Sequence, residues 1–114
     1  MSDEPERFFV SEIIREQVFM QFRQEIPYAT AVQIETFQER PNSKDFIRAI
    51  IWVEHQSQKG ILIGKGGSSL KILGQKARSK IEALLGRPVY LELTVKTKTK
   101  WRSDPKAIRE LGYE

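Results

Sequence analysis

Residues 58–69 read Gln-Lys-Gly-Ile-Leu-Ile-Gly-Lys-Gly-Gly-Ser-Ser, and the fold is organised around this stretch. Its centre, Ile63-Gly64-Lys65-Gly66-Gly67, places three glycines and a lysine between two apolar helical patterns. Because glycine has no Cβ, its backbone can lie against a ligand at little steric cost. Free N–H groups near a helix start, beside a lysine, favour a bound phosphate. The stretch therefore predicts a turn that grips a phosphate backbone, with a ligand-free turn between two helices as the alternative.

Helical patterns flank this turn on both sides. Residues 58–63 predict a short helix that leads into it, and a second helix begins at Gly67 or Ser68. The second helix carries one apolar stripe at a spacing of 3.6 residues: Leu70, Leu73, Gly74, Ala77, Ile81, Leu84 and Leu85. The glycine within the stripe is expected to let another backbone approach closely. Gly86 and Pro88 predict the end of this helix.

Three segments alternate as β-strands do. Residues 31–40 place Val32, Ile34 and Thr36 on one face, and residues 46–55 form the most apolar strand, which we expect at the centre of the sheet. The third strand is predicted over 89–95, and Lys96, Lys98 and Lys100 follow it on one face of an extended segment. Those lysines favour either attraction of an anion or a solvated sheet edge.

An N-terminal helix completes the pattern. Asp3 and Pro5 predict its start, and its apolar positions form a broad arc: Phe9, Val10, Ile13, Ile14, Val18, Met20 and Phe22. A short helix is predicted from Ser103 to near Gly112. The order α-β-β-α-α-β predicts an α+β fold with a three-stranded mixed sheet and helices on one face. Strands one and two are expected to pair antiparallel, and strand three to join strand two in parallel after a helical crossover.

Length and composition narrow the functional classes. The chain of 114 residues is expected to form one domain, without cysteine and with His55 as its only histidine. No apolar run approaches a membrane span, and the acidic start does not match a signal peptide. Residues 1–45 carry a net charge of −4 and residues 46–114 one of +8, so the glycine turn lies in the basic part. Without a basic amphipathic helix bearing a large aromatic face, nucleic acid is favoured over membrane as the partner.

Catalytic motifs are not matched. A nucleotide-binding P-loop needs four residues between its first two glycines and a hydroxyl after the lysine. Three residues separate Gly60 from Gly64, and Gly66 follows Lys65. A dinucleotide-binding motif fails because Ser69 takes the position of its last glycine. The sequence therefore predicts no enzyme activity, with a nucleotide hydrolase kept as a minor hypothesis.

The element order and the glycine turn together resemble a type II KH domain. Several further segments resemble the C-terminal KH domain of the Era family of bacterial GTPases: Arg7-Phe8, residues 12–16, Glu25-Ile26-Pro27, residues 57–61, residues 89–93, Val95-Lys96, Trp101-Arg102 and Leu111-Gly112-Tyr113. The resemblance covers nearly the whole chain. Thr94 departs from it, because a tryptophan is common there in relatives, and Thr97 and Thr99 stand among the lysines.

The resemblance implies a function and a set of partners. The chain is expected to be a single KH domain over residues 1–114, with the GTPase domain of the family absent, so GTP and Mg²⁺ would bind only in that absent domain. The implied partners are single-stranded RNA, namely the 3′ end of 16S ribosomal RNA, the small ribosomal subunit during assembly, and the GTPase domain of the full-length protein. The implied location is the cytoplasm, with the peripheral inner-membrane association of the family.

A KH groove holds about four single-stranded nucleotides, which assigns expected roles to residues of this chain. Lys65 would neutralise a phosphate at the turn, and the exposed edge of strand three would offer hydrogen bonds to bases. Ile61, Leu62 and Ile63 would form an apolar floor, and Lys59, Lys71, Lys96 and Lys98 would add electrostatic attraction. The predicted site also contains the turn residues Gly60, Gly64, Gly66, Gly67 and Ser68.

A protein-interaction module with a purely structural glycine turn is the alternative. Phe8 and Phe19 fall towards the charged side of the first helix, and exposed aromatic side chains can mark partner surfaces. Trp52 also motivates this alternative, although its position on a strand favours packing within the sheet over a platform for base stacking.

Overall fold

The computed structural model describes residues 4–23, 26 and 30–98. Its elements are α1 (Glu4–Phe22), β1 (Ala31–Gln38), β2 (Asp45–Val53), α2 (Gln56–Ile63), a 3₁₀ turn (Lys65–Gly67), α3 (Ser68–Leu85) and β3 (Val89–Thr97). The predicted order α-β-β-α-α-β is confirmed. The predicted C-terminal helix, Lys100 and the segment 101–114 lie outside the described residues.

The three strands form one mixed sheet in the order β1-β2-β3. β2 is central, as predicted, and pairs antiparallel with β1 and parallel with β3. The parallel register runs from Asp45 beside Val89 to Val53 beside Thr97, so β3 extends two residues beyond its predicted end. Within the part of the chain that the structure describes, β3 is therefore an edge strand.

The helices cover one face of this sheet. Ile47, Ala49, Ile51 and Val53 of β2 are fully buried on the covered face, as their alternation predicts. α1 contributes Val10, Ile14 and Val18 to the same core, and α3 contributes Leu73, Ala77 and Ile81. The opposite face carries Phe46, Arg48 and Trp52, which are only partly buried, and we call it the open face.

A β-bulge changes the predicted facing of β1. The register shifts between Ile34 and Thr36, and Glu35 has no partner in the ladder. One extra residue reverses the alternation that follows it. Phe37, opposite Ile47, is therefore buried in place of the predicted Thr36. The Arg7 side chain of α1 donates a hydrogen bond to the Ile34 carbonyl at 3.0 Å, which ties α1 to the bulged strand.

Three positions predicted for the core are half-exposed. Phe9 and Met20 of α1 and Leu84 of α3 each leave about half of their surface in solvent. They lie at the margins of their apolar arcs, where the helix surface turns away from the sheet. Gly74 also differs from expectation: a Cβ there would meet the Leu93 side chain at 3.7 Å, and no backbone approaches it.

A charged cluster joins the starting ends of β2 and β3. Asp45 is 3% exposed, and its carboxylate accepts hydrogen bonds from the Arg87 guanidinium and from the Arg40 N–H. Arg87 also pairs with Glu6 of α1 at 3.5 Å and with Glu39 at 3.4 Å. The hydrogen bond to Asp45 raises the pKa of Arg87, against the opposing effect of burial. We call this set the anchor cluster, because it links α1, β2 and the α3–β3 connection.

Candidate nucleic-acid interface

The glycine turn begins at Gly64, where only glycine fits. Its backbone has φ 74° and ψ 174°, a region that is essentially confined to glycine. A Cβ at this position would lie 2.4 Å from the Ser69 hydroxyl and 2.9 Å from the Ser69 nitrogen. The Gly64 N–H ends α2 by donating to the Gly60 carbonyl at 2.9 Å. The turn therefore packs its own backbone tightly against the start of α3.

Gly66 and Gly67 leave the outer side of the turn open. Both adopt left-handed conformations, with φ of 63° and 80°, and a Cβ at either position would meet no atom within 4 Å. Lys65 between the glycines is exposed. Among the described residues, no side chain caps α3 at its N-terminus. The N–H groups of Gly67 and Ser68 donate to the carbonyls of Gly64 and Lys65 within the turn. The positive N-terminal end of α3 beside an exposed ammonium group suits an anion.

Two glutamines hold the segments around the turn. The Gln21 side chain of α1 donates to the Ser69 carbonyl at 2.9 Å. At the start of α2, Gln58 accepts hydrogen bonds from the N–H groups of Glu54 and His55, at 3.1 and 3.0 Å. These bonds fix the position of the turn while its outer surface stays accessible.

A groove of about 520 Å³ runs from the turn along α3 and β3. The residues of its α3 wall are Gly67, Leu70, Lys71, Gly74, Gln75 and Arg78. The residues of its β3 wall are Val89, Tyr90, Leu91 and Leu93, with Lys44 at the far end. Because β3 is an edge strand, its outer backbone edge has no neighbouring strand in the described sheet.

The groove combines an apolar floor with basic walls. Leu70, Leu91 and Leu93 are partly buried side chains that pack on the core from the groove side. Lys71 and Arg78 stand on the α3 wall, and none of the described lining residues carries a carboxylate. The basic walls suit phosphates, whereas the floor suits the faces of bases.

The structure places the sequence-predicted site residues in different surroundings. Gly67 and Lys71 line the groove, and Gly60 and Ile61 are exposed on α2. Ile63, Gly64 and Lys59 are half-buried. Of the remaining turn residues, Lys65, Gly66 and Ser68 are exposed.

Leu62 corrects the prediction of an apolar floor formed by residues 61–63. It is 0% exposed and belongs to the core. Leu62 is the one buried residue of α2, whereas its neighbour Ile61 is 39% exposed. The floor of the groove comes from α3 and β3 instead.

Lys96 and Lys98 lie on the open face rather than in the groove. Their Nζ atoms stand 6.0 and 5.9 Å from the centre of the Trp52 ring, so the prediction that they share one face is confirmed. The Trp52 indole N–H donates to Gln33 at 3.0 Å, and the ring is half-buried. Trp52 therefore packs within the sheet, as its sequence position favours.

Sequence reasoning missed several groove residues. Leu91 and Leu93 alternate like core positions, and Leu70 continues the α3 stripe. Their sequence pattern therefore does not distinguish residues of the groove floor from residues of the hydrophobic core. The sequence does not predict Tyr90 and Lys44 as groove residues, because the parallel register that brings them together is a tertiary feature. The one sequence feature that indicates exposure of Tyr90 is its position on the face of β3 opposite the apolar residues.

Other kinds of site find no support in the described residues. They contain no group of three or more histidine, cysteine, aspartate or glutamate side chains placed to hold a metal ion. Within the same residues, no helix combines the length and apolarity needed to cross a bilayer.

Comparison with known proteins gives consistent matches. A family model described as a KH domain matches residues 25–102. The GTPase Era of Heliobacterium modesticaldum is 53% identical over 113 residues, which are 99% of this chain and 38% of that protein. The GTPase Era of Thermotoga maritima is 52% identical over 115 residues, or 100% of this chain and 38% of that protein. A chloroplastic ERA-like GTPase of Arabidopsis thaliana is 50% identical, covering 99% of this chain and 26% of that protein.

Two solved structures share the architecture. Era in complex with MgGDPNP and nucleotides 1506–1542 of 16S ribosomal RNA has a TM-score of 0.88 and 40% identity, covering 94% of this chain and 36% of that one. An Aquifex aeolicus Era variant bound to GDP and AlF₄⁻ has a TM-score of 0.87, with 40% identity, 94% of this chain and 36% of that one. The chain therefore spans less than two fifths of the length of these relatives.

Proposed function

This chain belongs to the KH-domain family, and from that premise we propose that it binds single-stranded RNA in the groove between α3 and β3. The observation that carries the proposal is the continuity of the site. An uncapped helix start with an exposed Lys65 opens into a basic groove with an apolar floor and a free strand edge. KH domains hold about four nucleotides between such a glycine clamp and a strand edge.

Each part of the site has a separate task. The positive N-terminal end of α3, together with Lys65, binds one phosphate, and Lys71 and Arg78 neutralise others along α3. The bases lie on Leu70, Leu91 and Leu93, where their faces displace water from apolar surface. The outer backbone edge of β3 pairs with base edges through N–H donors and carbonyl acceptors. Lys59, Lys96 and Lys98 contribute a longer-range attraction.

The proposed ligand is the 3′ end of 16S ribosomal RNA. Support comes from the solved Era complex, which holds nucleotides 1506–1542 of that RNA and has a TM-score of 0.88 to this chain. We propose that the chain serves as the RNA-binding part of an Era-type protein in assembly of the small ribosomal subunit, in the cytoplasm. The peripheral association with the inner membrane implied by the resemblance stays a prediction.

The chain by itself is proposed not to hydrolyse GTP. Its relatives are named as GTPases, and the chain spans 26–38% of those described above. Residues 1–114 would form one KH domain, with GTP and Mg²⁺ held in a separate GTPase domain that also serves as a partner of this domain. GTP turnover is measured with this chain alone, and a rate above that of buffer would contradict the proposal.

The clamp is tested with Lys65→Asp and with the double variant Lys65→Asp, Gly66→Asp. Both positions are exposed and Gly66 has no neighbour within 4 Å, so the fold is expected to survive. Asp tolerates the φ of 63° at Gly66 only moderately, which makes the single variant the cleaner test. Affinity for a labelled oligonucleotide of the rRNA 3′ end should fall by about tenfold or more, because a phosphate contact becomes a repulsion.

The control is Lys80→Asp, which makes the same charge change on the exposed surface of α3 outside the groove lining. Titrations at low and high salt should show a shallower slope for Lys65→Asp, by about 0.7 for each lost phosphate contact. If the folded double variant binds as the parent does, the glycine turn is not the clamp.

A second candidate function is a protein-interaction module. Phe8 and Phe19 on α1 are 57% and 52% exposed, which favours a partner surface there. Trp52 no longer supports it, because that ring is held within the sheet. Absence of salt-sensitive RNA binding by the parent chain would favour this candidate over the RNA-binding proposal.

A further inference from the structure

Phe46 and Tyr90 form a stacked aromatic pair on the open face. They are direct neighbours across β2 and β3, and their ring centres are 5.8 Å apart with an angle of 21° between the planes. Tyr90 is 55% exposed, whereas Phe46 is half-buried. One ring therefore supports the other and leaves aromatic surface in solvent.

Two guanidinium groups accompany this pair. The Arg40 and Arg48 Cζ atoms stand 5.0 and 5.2 Å from the centre of the Phe46 ring. Arg48 is held by Glu92 at 3.2 Å, so its charge is partly balanced. Arg40 is exposed. The set of Phe46, Tyr90, Arg40 and Arg48 is called the aromatic cluster below.

The aromatic cluster adjoins the groove at the end far from the glycine turn. Tyr90 and Lys44 line that end, next to Val89 at the start of β3. Gly67 and Arg78 stand at the two ends of the groove wall. At a helical rise of 1.5 Å per residue, they are separated by about 16 Å. A strand that runs along the groove from the turn thus arrives at the exposed Tyr90.

We propose that single-stranded RNA longer than the groove continues around the edge of β3 and stacks its next base on Tyr90. Exposed aromatic rings beside cationic side chains are the general means by which proteins bind single-stranded nucleic acid, because every base has a flat face. Arg40 and Lys44 supply positive charge for the adjoining phosphates. The pair Trp52 and Gln33 does not offer such a platform, since two lysines already stand over that ring.

This inference rests on the proposed RNA-binding function. It adds that recognition extends beyond the four-nucleotide groove and that the added contact is tolerant of base identity. A protein partner on the same surface would require apolar contact across the cluster. Arg48 is paired with Glu92 and Glu35, so Arg40 and Lys44 supply the positive charge that favours a polyanion.

The test compares a four-nucleotide and an eight-nucleotide RNA of related sequence on the parent chain and on Tyr90→Leu. Leucine keeps apolar volume and removes the flat ring. The parent should bind the eight-nucleotide RNA more tightly, and Tyr90→Leu should lose about 5- to 150-fold on it, the range found for one stacked base. The loss on the four-nucleotide RNA should be clearly smaller than the loss on the eight-nucleotide RNA, because Tyr90 also lines the far end of the groove. Tyr90→Phe should bind both RNAs as the parent does.

Phe8→Leu is the matched control, because it removes a ring of similar exposure from α1. Arg40→Gln is a second variant that leaves the stacked pair in place, and it should weaken only the longer RNA. Equal affinity of Tyr90→Leu and parent for the eight-nucleotide RNA would overturn the platform while leaving the groove proposal intact. An equal loss on both RNAs would mean that Tyr90 acts only as part of the groove lining, which would also overturn the platform. A parent that binds neither RNA would remove the proposed function itself.

Discussion

The two ends of α3 have the same kind of residue and different surroundings. At the N-terminal end, Gly67 adopts φ 80° and no side chain caps the helix. At the C-terminal end, Gly86 adopts φ 73°, and its N–H bonds to the Glu82 carbonyl at 2.8 Å. The Glu82 side chain then accepts a hydrogen bond from the Val89 N–H at 2.9 Å, and the adjoining Arg87 enters the anchor cluster.

This difference distinguishes Gly86, which has a structural role, from the glycines of the turn, which belong to the candidate RNA-binding site. At Gly86 the polar groups around the turn are engaged by neighbours within the chain, so the end of α3 is fixed to β2 and α1. The N–H groups of Gly67 and Ser68 also bond to carbonyls, but these belong to Gly64 and Lys65 of the turn itself. The only side chain projecting from the turn proper is that of Lys65. A helix start with no described side-chain cap and an exposed lysine beside it is available to an external anion.

The largest expected effect comes from Gly64→Ala. The added Cβ overlaps Ser69 and forces a backbone region that other residues rarely adopt, so the variant should lose about 2–6 kcal/mol of unfolding free energy, the sum of strain and overpacking. RNA binding should be lost with the geometry of the turn. Chemical denaturation and an RNA titration measure the two effects.

Gly86→Ala is the matched comparison for that variant. Its Cβ would meet no atom within 4 Å, so only the left-handed strain of about 1–2 kcal/mol is expected. RNA affinity should stay at the parent level, because the position is at the other end of α3. If both variants weaken RNA binding equally, the proposed difference between the two helix ends is wrong.

Asp45→Asn tests the anchor cluster with an intermediate effect. The substitution removes the charge that the Arg87 guanidinium faces in a 3% exposed site, and a hydrogen bond to a charged group contributes about 1.5–3 kcal/mol. The unfolding free energy should fall by that amount in urea denaturation. Glu39→Gln provides the control, since this exposed pair with Arg87 contributes at most about 1 kcal/mol. Equal losses of unfolding free energy from the two variants would contradict the prediction that the buried Asp45 contributes more than the exposed Glu39.

Gly74→Ala is expected to have the smallest effect and the opposite sign. The new methyl group would contact Leu93 at 3.7 Å without overlap, and alanine is favoured over glycine within a helix by about 0.5–1 kcal/mol. Unfolding free energy should therefore rise slightly in thermal or urea denaturation. A loss of stability would mean that the wall of α3 beside β3 is tighter than the structure shows.

Local patterns were sufficient for most of the secondary structure. The alternation in β2 identified its buried face, and the spacing in α3 identified Leu73, Ala77 and Ile81 as core positions. The steric freedom of glycine also identified the turn at Gly64. These features follow from the periods of strand and helix and from backbone sterics, all of which operate within a few residues.

The tertiary structure decided which residues of each periodic pattern are buried and which are exposed to solvent. Phe37 replaces Thr36 in the core because β1 contains a bulge, and Leu62 is buried because of how α2 packs. Both outcomes depend on neighbours that a local period does not contain.

The sequence by itself determined the order of elements, the glycine turn and its basic surroundings, because each rests on local residue chemistry. Only the tertiary structure decided that Leu91 and Leu93 form a groove floor beside α3 and that Tyr90 stacks on Phe46. Those contacts join residues 44 positions apart in the case of Phe46 and Tyr90. The physical reason is that the parallel register of β2 and β3 brings these residues together. That register is established when α2 and α3, which connect the two strands in the chain, pack against one face of the sheet.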